Sequence, residues 1–336
     1  MSTPEIGLLL VWLGPWRPWI DLTLHSFAYN RGFALHIVSA ETPPATAVGN
    51  VHYHQHDRQD LDRRISQLLG TGYRLERGYK LCDFRPAYRD LFPEYLDSYP
   101  YWGWCDEDII WGDLGRFITP AILNSHDIIA TCRNCISGQL TIVRHSPRTN
   151  ALYSWIPGWK EKLLDQSTGY ALDELPLNDV ALGLEASGHL RVSRRQIQTH
   201  DVNSVEWNRW ADELEMAETG HPHGEFKHGP AVWRDGRIYH AASGEEFGFF
   251  HFGNWKRTWL LPKISLPPGD LSEWHFSENG IDFRCATASD SAREYIRAYR
   301  AACLRVEIQN QTRRLRHGAE KFMRRLGSAA KRLSAS

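Results

Sequence analysis

At 336 residues, with 42% hydrophobic and 24% charged residues, the chain has the material for a full core, which excludes a disordered linker and a small disulfide-stapled scaffold. Its formal net charge of −1 hides an asymmetry: from Arg293 to Ser336 there are 12 Lys/Arg against three acids, so an acidic body precedes a basic tail. The tail lacks an aromatic platform, which argues against nucleic acid as a partner.

The chain opens on Ile6 to Trp12, a continuous apolar run of the kind that forms a strand covered on both faces. Ile6 to Leu13 is too short to span a membrane, and the N-terminus lacks a basic n-region. Leu13-Gly14-Pro15-Trp16 follows, a turn at the place where open α/β sheets hold ligands, with Gly14 in the turn and Trp16 available to stack on a base. Trp19 to Tyr29 reads as a helix, Phe33 to Ser39 as a second strand, Val51 to Tyr53 as a third and Asp57 to Leu69 as an amphipathic helix. In Tyr79 to Tyr88, Lys80, Asp83 and Arg85 fall within six residues, a cluster suited either to phosphate and sugar hydroxyls or to a surface ion pair.

The stretch Tyr101 to Leu114 places Asp106, Glu107 and Asp108 between two apolar aromatic runs. Carboxylates at the end of a buried strand repel one another unless a cation sits between them. Asp106 and Asp108 can share a side of an extended chain and hold a hard divalent ion with positions open for phosphate oxygens. Asp113 to Phe117 opens a helix expected to run on from Pro120 to Asn124. Asp127 to Thr131 and Gln139 to Val143 read as strands around the Cys132 to Gly138 turn, and Asn150 to Trp155 as helical. The aromatic turn Trp155 to Trp159 suits an acceptor subsite, and a helix begins after Pro176, close to Asp173, Glu174 and Asp179. Those three acids are either capping residues or catalytic ones.

The histidines of His221 to His228 have no metal-ligand register and read as a loop, whereas Asp235-Gly236 marks a hairpin. Phe247 to Trp259 then offers His251 as a nitrogen ligand, with Lys256 and Arg257 as cations for phosphate. The basic tail carries an apolar stripe and reads as a helix for an anionic membrane surface. Cys82, Cys105, Cys132, Cys135, Cys285 and Cys303 form no disulfide framework, and Cys132-x-x-Cys135 has no second pair at zinc-ribbon spacing. The expected compartment is the cytoplasm, with the tail touching the inner face of the plasma membrane.

Taken in order, the apolar first strand, YKLCDFRPAY, WGWCDEDIIWGDL and the late His-Phe-Gly segment resemble nucleotide-sugar glycosyltransferases of the GT-A fold. They are most similar to a bacterial GT-A-like family, itself similar to the retaining transferases typified by glycogenin and by capsule and lipopolysaccharide enzymes. The resemblance spans about residues 5 to 260. It implies an α/β fold with a Rossmann-like mixed central sheet flanked by helices, a catalytic domain over 1–265, a connecting segment over 266–292 and a basic helical extension over 293–336. It implies Mn²⁺ or Mg²⁺ on Asp106, Asp108 and His251, with a nucleotide-sugar, UDP-linked in the leading expectation, as co-substrate. Gly14, Trp16, Lys80, Asp83, Arg85, Glu107 and Lys256 or Arg257 would bind the donor. In related enzymes the late segment reads H-F-x-G-x-x-K-P-W, while here HFGNWKRTW brings Gly and Lys one place early and lacks the Pro. Asp173, Glu174 or Asp179 would act as base if the reaction inverts configuration, and the acceptor would be a saccharide or glycolipid.

Two other readings compete. A glycoside hydrolase would use carboxylate pairs and Trp residues but needs neither the late histidine nor metal. A catalytically silent binder of the same fold would hold sugar or nucleotide without turnover.

Overall fold

In a computed structural model of the chain, the structure describes residues 5–17, 19–44, 49–132, 135–195, 197–200, 231–240, 244–251, 273–277 and 280–282. The strands in chain order are β1 Ile6–Trp12, β2 Phe33–Ser39, β3 Val51–Gln55, β4 Tyr101–Cys105, β5 Ile109–Trp111, β6 Ile128–Ala130, β7 Leu140–Arg144 and β8 Val192–Arg194. They continue with β9 Gln198–His200, β10 Ala231–Arg234, β11 Arg237–His240, β12 Glu246–Phe247, β13 Phe249–His251, β14 Glu273–Ser277 and β15 Gly280–Asp282. Lys256, Arg257, the His221 to His228 loop and the tail 293–336 lie outside the described residues.

The chain adopts the expected mixed α/β architecture. Its central sheet runs β3-β2-β1-β4-β7-β6-β8, with β3, β2, β1 and β4 parallel and β7 antiparallel to both its neighbours. The apolar run of β1 is split between the two faces. Leu9 and Val11 pack on one side with Leu61, Ile65 and Leu69 of the helix Arg58–Leu69, while Leu8 and Leu10 pack on the other with Ile20, Leu24 and Phe27 of the helix Ile20–Phe27. A strand with both faces covered needs apolar residues at successive positions, which is why β1 shows no polar alternation.

Asp57 caps the helix Arg58–Leu69 by accepting from the Asp60 amide. The helix expected from Asp113 through Asn124 is instead a 3₁₀ turn, Leu114–Arg116, and a separate helix, Pro120–Ser125. Pro120 sits at the start of the second helix, where its missing N–H is harmless, and Thr119 caps it. Similarly, Asn150 to Trp155 divides between the helix Pro147–Asn150 and the 3₁₀ turn Leu152–Trp155.

Two smaller sheets complete the fold. The antiparallel sheet β12-β11-β10-β14-β15 is built on the Asp235-Gly236 hairpin, where both turn residues have positive φ. A Cβ on Gly236 would lie 2.5 Å from Tyr29, so the turn needs glycine both for its conformation and for its contact with the body. Part of the span read as a connecting segment, Glu273 to Asp282, supplies the last two strands of this sheet. The third sheet, β5-β13-β9, lies beside the acidic stretch. Among the described residues, no helix is long and apolar enough to cross a membrane.

Candidate metal and donor site

The site begins where β4 ends. The Asp106 amide extends the β4–β7 pairing by bonding to Gln139 O at 3.0 Å, and the chain then leaves the central sheet to form β5. Three buried polar residues along the helix Ile20–Phe27 and just past its end hold this departing segment. Thr23 Oγ1 donates to Glu107 O at 3.0 Å, and Ser26 Oγ accepts from the Trp111 amide at 3.0 Å. Asn30 donates to Gly112 O and accepts from the Leu114 amide, both at 2.9 Å. Buried polar side chains must be paired, and here their partners are the backbone of the acidic stretch itself.

On its other edge β5 pairs antiparallel with β13, placing His251 opposite Ile109. This register brings His251 Nε2 within 3.4 Å of Asp108 Oδ1 and 3.6 Å of Asp106 Oδ2. One ligand atom from each of Asp106, Asp108 and His251 lies within 4.8 Å of the others. Asp108 is fully buried and Glu107 is buried beside it. Two carboxylates and an imidazole are a donor set for Mn²⁺ or a similar divalent ion, so the residues present fit the expected metal.

Arg85 joins this cluster to a second pair of acids. Its Nη2 pairs with Asp106 Oδ1, while Nη1 donates to Asp173 Oδ2 at 2.8 Å and to Gly138 O at 2.9 Å. Burial opposes the Arg85 charge, but Asp106, with Cys82 and Asp173 behind it, holds the guanidinium well above its usual range. Burial also raises the Asp173 carboxyl, against the pull of Arg85. Glu174 is pushed up to about 7, first by burial and then by the neighbouring Asp173 charge, with Arg85 opposing. A Cβ on Gly138 would lie 2.7 Å from Glu174 Oε1, 2.9 Å from Asp173 Oδ2 and 3.1 Å from Arg85 Nη1. Only a residue without a side chain lets the three groups close on that corner.

Lys80 and Asp83 occupy different ground from the expected phosphate cradle. Lys80 Nζ donates to Asp83 Oδ2 at 2.8 Å, Lys162 O at 2.6 Å and Thr168 O at 2.9 Å, which uses all three ammonium hydrogens. Asp83 in turn accepts from the amides of Tyr170 and Leu172. The pair is a buried latch that holds the segment leading to Asp173, neither a surface ion pair nor an open anion site. Trp16 donates to Thr42 O at 2.6 Å and meets Tyr53 edge to face, beside Gly14 at the exit of β1. Asp179 is exposed on the helix Leu175–Ala186.

Thr23, Ser26, Asn30 and Gly138 were not singled out in the sequence. The first three share a helix-like spacing of three and four residues, a signal that could have marked them. Gly138 carried none.

A family model described as a family of unknown function, DUF6625, matches residues 8–260. No curated protein matches the chain. Among solved structures, the galactosyltransferase LgtC, in complex with donor and acceptor sugar analogs, is 9% identical, with 77% of this chain and 89% of that chain covered and a TM-score of 0.40. Mouse xyloside xylosyltransferase 1 in its apo form is 13% identical over 71% of this chain and 98% of that one, with a TM-score of 0.40. The apo-form glycosyltransferase GlyE of Streptococcus pneumoniae is 9% identical over 80% and 58%, with a TM-score of 0.37.

Proposed function

We propose that this chain, which belongs to the DUF6625 family, is a metal-dependent glycosyltransferase of GT-A type that moves a sugar from a nucleotide-sugar to a saccharide or glycolipid acceptor. The observation that carries the reading is the convergence of Asp106, Asp108 and His251 where β4 leaves the central sheet. Breaking a sugar–diphosphate bond creates an oxocarbenium-like carbon and a departing diphosphate, so charge stabilisation at the leaving group is the main catalytic need. A divalent ion held by these three residues supplies Lewis acidity to the diphosphate oxygens.

The chain's own groups do the rest. Arg85 fixes Asp106 and Asp173 in one hydrogen-bonded line, so the ion site and the acid pair keep a set separation. Glu107, Gly14 and Trp16 lie at the strand exits where the donor enters, and Lys256 or Arg257 adds positive charge for phosphate. Asp173 is tied to Arg85, whereas Glu174, pushed up to about 7, is poised to take a proton at neutral pH and is the base the site offers if the reaction inverts. In the retaining reaction the acceptor C–O bond forms as the sugar–phosphate bond breaks and the acceptor proton passes to the departing phosphate. In this reading Lys80 and Asp83 support the site from beneath, and Asp179 belongs to the helix surface. The cellular role is bacterial surface polysaccharide synthesis at the inner face of the plasma membrane, with residues 1–265 catalytic and the basic tail as the membrane contact.

Calorimetric titration of UDP into the purified protein tests the reading, with Mn²⁺, with EDTA, and with Asp108→Ala in the presence of Mn²⁺. Binding is expected only for the unaltered chain with metal. UDP binding that survives both EDTA and Asp108→Ala would remove the metal-dependent donor site. If UDP, GDP and CMP all fail to bind, a silent sugar-binding scaffold becomes the better description.

A further inference from the structure

Tyr79 stands out among the large apolar side chains because it is 78% exposed. A flexible segment would explain such exposure, but this segment is pinned. The next residue, Lys80, is buried with its ammonium tied to three acceptors, and the 3₁₀ run Gly78–Ala87 is buried along most of its length. The backbone thus holds an aromatic ring in solvent against the tendency of tyrosine to find cover.

The surroundings of the ring say what it is held against. On one side, a Cβ on Gly78 would lie 3.9 Å from Leu13 O, at the exit of β1. On the other, a Cβ on Gly169 would lie 3.2 Å from Tyr79 Cε1 and 3.5 Å from Cδ1, so the ring flanks the chain that runs on to Asp173. The phenol end is partly covered: burial is the first cause that raises its pKa, followed by the neighbouring Cys82, Glu174 and Asp173, with Arg85 opposing. The Tyr79 ring therefore stands exposed beside the segment that leads to the acid pair, with its backbone next to the β1 exit.

We propose that Tyr79 is the stacking platform for a pyranose ring at this site, a role that rests on the transferase reading. The apolar C–H face of a pyranose packs on an aromatic face, while its hydroxyls need polar partners, of which the Glu174 carboxyl, the half-buried member of the acid pair, supplies one. A pyranose held there belongs either to the donor or to the acceptor, since on the transferase reading the two sugars meet at the acid pair.

The test uses the full chain carrying 3-fluorotyrosine at position 79, with the fluorine resonance followed during three titrations in Mn²⁺. The ligands are UDP, UDP-glucose or UDP-galactose, and the methyl glycosides of glucose, galactose and mannose. A saturable shift with the UDP-sugars but not with UDP identifies the donor ring. A shift with a methyl glycoside identifies the acceptor ring. In either case Tyr79→Ala should weaken that ligand about tenfold, Tyr79→Trp should restore it, and UDP affinity should stay within about twofold. A resonance silent to every sugar, or sugar binding unchanged in Tyr79→Ala, overturns the proposal. Sugar binding that depends on Tyr79 in a protein that does not bind UDP would leave the platform standing and remove the transferase reading alone.

Discussion

At the scale of single residues, the site is set by side chains whose partners are backbone groups. Asn30 is buried and bonds both Gly112 O and the Leu114 amide, so Asn30→Ala strands two buried backbone groups. A loss of about 2 kcal/mol in unfolding free energy is expected, measurable by urea denaturation, together with weaker Mn²⁺ binding because β5 loses its support. Glu174 gives a second, pH-dependent prediction. Its folded carboxyl titrates at about 7, above the ordinary 4.5, so between those values the folded state binds more protons than the unfolded one. Stability contributed by this group is present at low pH and is lost as pH rises through 7. In the metal-free protein, Glu174→Gln should flatten that part of the curve of urea midpoint against pH. Asp106, Glu107 and Asp108 were legible in the sequence because like charges between apolar runs demand a partner. The corner at Asp173 and Glu174 was not, since Arg85 reaches Gly138 across 53 residues of sequence and Asp173 across 88.

At the scale of elements, strands governed by local pattern were readable and those governed by distant partners were not. β1, β2 and the Asp235-Gly236 hairpin follow from apolar runs and turn chemistry within a few residues. β5 exists as a separate strand because β13 pairs with it from far along the chain, and no local signal carries that register. The β2–β3 edge carries its own titration. His36 stacks between His52 and His54, bonding His54 and Tyr99, and Tyr95 lies 3.5 Å over the His54 ring. Burial, then the neighbouring imidazoles, push His36 down to about 3 and His54 to about 4, with Glu94 opposing at His54. Their folded values are depressed, so the unfolded chain takes up protons first, near 6.5, and stability falls as pH drops from about 6.5 towards 3. This slope has the opposite sign to that of Glu174. His54→Gln should reduce acid sensitivity over this window, read as a smaller fall in urea midpoint between pH 7 and pH 5.

At the scale of the whole molecule, the second sheet is clamped to the body where the site is built. Trp233 Nε1 donates to Trp111 O at 2.8 Å and its ring packs at 4.6 Å on Trp274, so β10 and β14 bear on the strand that leads from Asp108. The same long reach appears in the charge distribution. The segment Arg293 to Ser336 carries 12 Lys/Arg and three acids within a chain of net charge −1, which leaves the rest of the molecule strongly acidic. An acidic body is repelled by an anionic bilayer and a basic segment is attracted, by about 1 kcal/mol for each Lys or Arg near the surface. Attraction of that origin must weaken with salt, because the field decays within about a Debye length. The full chain should therefore float with phosphatidylserine-containing liposomes at low ionic strength, float less at about 0.5 M salt, and stay in solution with purely zwitterionic lipid. Truncation before Arg293 should abolish flotation while UDP binding persists, since Asp106, Asp108 and His251 precede the cut. Equal flotation of the full and truncated chains would remove the tail's role and leave the membrane contact to be sought on the folded body.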